Sequence, residues 1–158
     1  MQKLKLTIIL QVYNKNNKNF MFDLKITSGF SSAHALRGYQ GKCENVHGHN
    51  WKVEAVVSAS ELNEIGIAID FKLLKNYLNE VLETLDHKFI NEADFFLSVN
   101  PSAENLAMFI YNEFEKKIKS IKHNGIAVKS VNVYETDTSM ASYYKIDLLK
   151  IFNNVLNI

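Results

Sequence analysis

The sequence predicts an α+β domain with the element order ββααββ, an antiparallel sheet carrying two helices on one face. Three observations lead there. Residues 20–36 and 47–60 read as two long strands in succession. Two later stretches repeat their apolar residues at spacings of three and four, the helical period. Two further strand-like runs, 126–136 and 141–149, follow them. Strands adjacent in sequence favour antiparallel pairs, and a consecutive helix pair then lies on one sheet face.

Taken in order, "LKLTIILQVY" (4–13) reads as a strand and "NKNNKN" (14–19) as a polar turn. Met21 is a candidate start, which would make residues 1–20 an N-terminal extension, with an extra strand, ahead of a single domain 21–158. "FMFDLKITSGFSSAHAL" (20–36) is the first long strand of that domain, and "RGYQGKCEN" (37–45), with Gly38 and Gly41, is a loop. "HGHNWKVEAVVSAS" (47–60) alternates polar and apolar residues, as a half-buried strand does. "ELNEIGIAI" leads to Asp70, a candidate N-cap. Beyond it Phe71, Leu74, Leu78, Val81, Leu82 and Leu85 fall on one face of a helix reaching residue 85. "DHKFINEADFFLSVN" reads as loop. Pro101 and Ser102 then open a second helix, to about residue 118, with Leu106, Phe109, Ile110 and Phe114 inward. The last two strands are joined by a turn, "DTSM".

A chain of 158 residues is long enough for one hydrophobic core. Its apolar fraction, 47%, and charged fraction, 22%, are ordinary for a globular protein. A net charge of +1 gives no general attraction to nucleic acid or acidic membranes, so neither is an expected partner. The single cysteine cannot form an intrachain disulfide, which suits a reducing compartment. The N-terminal apolar run is too short for a signal-peptide core, and no window approaches a membrane span. The expected location is the cytoplasm.

The chemistry concentrates in "KCENVHGHNW" (42–51). His47 and His49 are two apart, so on a strand both imidazoles leave the same face. Gly48 between them leaves room for another backbone to come close. Two such imidazoles make half of a zinc site, and a catalytic zinc needs three protein ligands and one open position. His34, near the end of the preceding strand, is the candidate third ligand. Cys43 leaves two readings open: a fourth ligand that closes a structural site, or an unligated thiol whose pKa a nearby dication lowers, fit to act as base or nucleophile.

"FSSAHAL", "CENVHGHNW", "GIAIDF", "LDHKFIN", "PSAENLA" and "VNVYET" stand in this order along the chain. Together, from about Phe22 to Leu148, they resemble the 6-pyruvoyl-tetrahydropterin synthase / 6-carboxytetrahydropterin synthase family of the tunnelling fold. The resemblance implies Zn2+ on His34, His47 and His49, the three residues that spacing also suggests. It implies that Cys43 is the base, that Asp86 and His87 work with it, and that the carboxylate of Glu135 anchors the pterin. It further implies 7,8-dihydroneopterin triphosphate as substrate and a homohexamer of two trimers. In such a hexamer strands of neighbouring units join into a β-barrel, with active sites between subunits.

These residue types suit that chemistry. A carboxylate can accept at once from the ring N–H and the exocyclic NH2 of a pterin. A dication acidifies hydroxyls that it binds. Asp86 would orient His87 and stabilise its protonated form. Glu44, in tandem with Cys43 in "CENVHGH", resembles a dual-activity subgroup with two alternative bases. The expected function is therefore zinc-dependent conversion to 6-carboxy-5,6,7,8-tetrahydropterin, a queuosine precursor. Side-chain cleavage to 6-hydroxymethyl-7,8-dihydropterin, a folate precursor, would accompany it. The alternatives are 6-pyruvoyl-tetrahydropterin synthase chemistry and a non-enzymatic zinc- or pterin-binding module. Lys42, Arg37, Lys52 and Lys88 are the unranked candidates for the triphosphate, and His123 is expected at the surface.

Overall fold

The computed structural model describes residues 22–121 and 125–146. The strand and turn expected in 4–19, His123, and the end of the last strand lie outside the described residues. Within them the elements are β1 (Phe22–His34), β2 (His47–Ala59), α1 (Phe71–Leu82), α2 (Ala103–Lys119), β3 (Ile126–Thr136) and β4 (Ser139–Tyr143). The strands form one antiparallel sheet in the order β1-β2-β3-β4. The expected ββααββ order is the one observed.

Local chemistry explains the boundaries. Asp70 caps α1 by accepting from the Lys72 N–H at 2.8 Å. Ser102 is the N-cap of α2, so that helix begins one residue later, at Ala103. Only Asp137 and Thr138 turn between β3 and β4, and the strand begins at Ser139 rather than 141. The segment read as loop after α1 contains two 3-10 turns, Ile90–Glu92 and Asp94–Phe96.

Parity decides what the sheet faces. Trp51, Val53, Ala55, Val57 and Ala59 leave β2 on the helix side and are all buried. The first four of them meet Leu74, Leu78, Leu82, Leu106, Ile110 and Phe114 in one continuous core. The Tyr111 hydroxyl donates to the Val128 carbonyl at 3.0 Å, tying α2 to β3, and burial pushes its pKa up to about 12. On the opposite face polar residues pair across strands: Ser58 and Lys129 with Asp23, Lys25 and Lys52 with Glu54, Ser31 with Asn50, Ser142 with Asn132. A Cβ at Gly29 would lie 2.6 Å from the Trp51 carbonyl oxygen, so glycine permits the close approach of β1 to β2 there. Gly48 has no such role: its nearest foreign atom would be 3.6 Å away, ordinary contact. Among the described residues no helix is long and apolar enough to cross a membrane.

Candidate metal centre

The helix-side parity that fills the core also carries the histidines. His34 stands directly opposite His47 in the β1–β2 ladder, and His49 stands opposite Ser32. The three ring centroids are 4.4, 5.2 and 4.9 Å apart. Trp51 closes the inner side, its ring 5.0 Å from those of His34 and His49.

Two of the rings are oriented by backbone carbonyls. His34 Nδ1 is 2.7 Å from the Pro101 carbonyl oxygen, and His47 Nδ1 is 2.8 Å from that of Asn45. Nδ1 donates in each, which leaves Nε2 with a free lone pair. The Nε2 atoms of His34, His47 and His49 are all buried without a hydrogen-bond partner. Ser32 Oγ and Trp51 Nε1 share this condition, and these five are the whole set of such atoms among the described residues. Buried polar atoms in native proteins are nearly always paired, so five orphans in one patch point to an absent ligand.

The donor set fits a metal. One nitrogen from each histidine and an oxygen of Glu135 all lie within 4.8 Å of one another. A tetrahedral zinc with ~2.05 Å bonds would set its nitrogens ~3.3 Å apart, a modest tightening of this group. Glu135 Oε1 lies 3.1 Å from His49 Nε2 yet out of line for a hydrogen bond. His34 is held neutral: burial pulls its pKa below the usual histidine value, and the neighbouring imidazoles add to this. Its bond to the Pro101 carbonyl and the charge of Glu135 oppose the shift without reversing it.

A clasp absent from the sequence reading sets this geometry. Asn91 accepts from the Ala35 N–H at 2.9 Å and donates to the Ala35 carbonyl at 2.8 Å. Asn100 grips the backbone of Arg37 in the same two-handed way. The Arg37 guanidinium donates to the carbonyls of Phe96 and Val99. These bonds hold the 91–101 segment against the end of β1 and bring the Pro101 carbonyl to His34. Arg37 is thus tied into the clasp through Nη2 alone, although its side chain is exposed. Lys52 points to the opposite sheet face, paired with Glu54 at 3.1 Å. Lys88 donates to the Thr84 carbonyl. Lys42 is exposed and forms no ion pair among the described residues.

The other candidate residues occupy two sides of the centre. Asp86 and His87 run along the free edge of β1: Asp86 Oδ1 accepts from the Ser31 N–H at 2.8 Å, and Oδ2 lies 2.7 Å from His87 Nδ1. The Ser31 bond first, then His87, hold the Asp86 carboxyl below its ordinary pKa. His87 adopts a left-handed backbone, φ 53°, uncommon for a residue with a side chain and characteristic of functional sites. His49 and His87 line one shallow depression of about 430 Å³. On the other side His34, Ser102, Glu104 and Glu135 line a second, of about 250 Å³. Glu104, in the first turn of α2, is not singled out by the sequence; "PSAENLA" contains it, but the helix signal there conceals which residues come to lie beside Glu135.

Cys43 and Glu44 sit in a 3-10 turn, Lys42–Glu44, within the β1–β2 loop. Cys43 is half-buried and outside the group of converging metal donors, while Glu44 is exposed. Within this one chain Cys43 Sγ forms no hydrogen bond with His87.

Comparison with known proteins agrees with this arrangement. The family described as 6-pyruvoyl tetrahydropterin synthase matches residues 23–145. The chain is 31% identical over 147 residues to the 6-carboxy-5,6,7,8-tetrahydropterin synthase of Haemophilus influenzae, with 78% of this chain and 99% of the relative covered. The 6-pyruvoyl tetrahydropterin synthase of Caenorhabditis elegans shares the fold, with a TM-score of 0.68 at 23% identity over 79% of this chain and 96% of that one. A Plasmodium vivax 6-pyruvoyltetrahydropterin synthase, solved with a catalytic glutamate replaced by alanine, superimposes with a TM-score of 0.61 at 21% identity over 78% and 97% of the two chains. Sequence and architecture therefore agree that the chain belongs to the 6-pyruvoyl tetrahydropterin synthase family, as a lyase-type enzyme related to the 6-carboxytetrahydropterin synthases.

Proposed function

We propose that the chain converts 7,8-dihydroneopterin triphosphate to 6-carboxy-5,6,7,8-tetrahydropterin, using a zinc ion on His34, His47 and His49. The three unpartnered buried Nε2 atoms of those imidazoles, converging with a Glu135 oxygen, carry this reading. A zinc ion there supplies a Lewis acid that lowers the pKa of the substrate's side-chain hydroxyls. The remaining work falls to the protein. The carboxylates of Glu104 and Glu135, in one depression beside His34, take the N–H and NH2 edge of the pterin and fix its orientation. Cys43 is the base that moves protons on the side-chain carbons, and the Asp86–His87 pair takes up and returns the proton.

Cys43 and His87 do not meet within one chain, which favours sites completed between subunits of a hexamer. There the Asp86–His87 pair of one protomer would reach Cys43 of its partner. Glu44 is the second base, adjacent in sequence, for cleavage to 6-hydroxymethyl-7,8-dihydropterin. Arg37, Lys42 and Lys88 remain for the triphosphate.

Incubation of the zinc-loaded protein with 7,8-dihydroneopterin triphosphate, followed by mass analysis, tests the reading. The expected main product is 6-carboxy-5,6,7,8-tetrahydropterin, with the hydroxymethyl product lost selectively in Glu44→Ala. Accumulation of a 6-pyruvoyl product would replace the assignment, and an unconsumed substrate would remove it.

A further inference from the structure

A second feature lies far from the imidazoles. Phe22 and Leu24 at the start of β1, and Leu62, Ile65, Ile67 and Phe71 between β2 and α1, line a groove of about 700 Å³. Five of these six are exposed large apolar side chains, Ile65 at 78% and Phe71 at 51%. A contiguous apolar surface of this kind marks a docking site rather than ordinary surface scatter.

We propose that this groove seats the chain's own N-terminal segment, with residues 6–10, "LTIIL", as the inserted part. Three observations select this occupant. The segment is joined in the chain to Phe22, which forms part of the groove's wall. The 12 residues from position 10 to position 22 (22 − 10) span up to ~40 Å when extended, ample to fold back across it. The charges match as well: residues 1–22 contain Lys3, Lys5, Lys15 and Lys18 and no acid, whereas the groove is lined by Asp23 and Asp70, and exposed Glu61 and Glu64 flank its lining residues Leu62, Asn63 and Ile65 in the chain. Neither glutamate forms an ion pair among the described residues. The matched family region begins at Asp23, so groove and segment meet where the shared sequence ends. The segment is thereby a built-in cover for an apolar face that would otherwise promote association.

Hydrogen exchange of the full 158-residue chain, read by mass spectrometry, tests this. In the wild type, peptides covering 4–13 and 62–71 should both be protected. Ile8→Glu with Ile9→Glu should speed exchange in 62–71 at least tenfold and leave 103–119 unchanged. Ile65→Glu, at a position too exposed to disturb the core, should speed exchange in 4–13. Equal exchange of 62–71 in wild type and double variant would overturn the proposal. Protection of 62–71 that survives the double substitution but fades on dilution would overturn it in favour of a second copy as occupant.

Discussion

The two ends of the β1–β2 ladder use one rule and reach opposite results. At the end nearer Ala59, helix-side positions carry Val53, Ala55 and Val57, fully buried under α1 and α2 with nothing left unsatisfied. At the other end the same parity carries His47 and His49 opposite His34 and Ser32, also shielded, yet with their polar atoms unpartnered. A core end is stabilised by what it excludes, whereas the histidine end retains the desolvation cost of its Nε2 atoms until something binds them. Stability and function are therefore separable along a single pair of strands.

Ligand loss should separate them most sharply. His47→Ala is expected to abolish zinc binding and lower turnover by about three orders of magnitude or more, while it melts no lower than the wild type stripped of metal. Bound metal measured by elemental analysis, beside Tm, checks it; retained activity without metal would remove the Lewis acid from the proposal. Next in size is the proposed sharing of the site between subunits. Cys43→Ala and His87→Ala should each be nearly inactive, yet co-refolded at equal amounts they should regain activity at roughly a quarter of the sites, as random assembly predicts. No recovery would place both residues of each working site in one protomer.

The core end answers in the opposite currency. Leu78→Ala, at a fully buried position of α1, should cost about 2–5 kcal/mol of stability in denaturant unfolding and leave zinc affinity unchanged. A loss of metal binding in that variant would mean the two ends are coupled.

The smallest effect is that of pH. His34 titrates below the ordinary 6.5 because it is buried, so the native chain holds it neutral where the unfolded chain begins to protonate it. Between the lowered value and 6.5 the unfolded state binds more protons, so stability rises with pH through that window and falls on acidification. Zinc competes with the same protons, so its affinity should fall in the same direction. Trp51, the only tryptophan, touches His34 and His49, and its emission should report both events. Apo-protein Tm higher at pH 5.5 than at 7.5 would contradict the shift.

Much of this site was readable because it rests on local rules. The i, i+2 spacing of His47 and His49 dictates a shared face whatever surrounds the strand, and Asp70 caps a helix whose apolar spacing is visible in the chain, although the helix stops at Leu82 rather than at residue 85. The placements of Arg37, Glu104 and Cys43 were not readable in this way. Arg37 resembles any loop cation until the carbonyls of Phe96 and Val99, some sixty positions away, are placed against it. Glu104 becomes a neighbour of Glu135 only when α2 packs on the sheet.

Sequence alone determined the antiparallel ββααββ order, the parity that gathers three imidazoles, and the family, because periodicity and motif spacing are properties of the chain itself. Tertiary structure alone decided which carbonyl orients His34, which cations were already engaged, that Cys43 makes no hydrogen bond to the Asp86–His87 pair within the chain, and that an apolar groove opens beside Phe22. Those outcomes depend on contacts between residues distant in sequence, whose positions are set by the packing of the whole core rather than by any local preference.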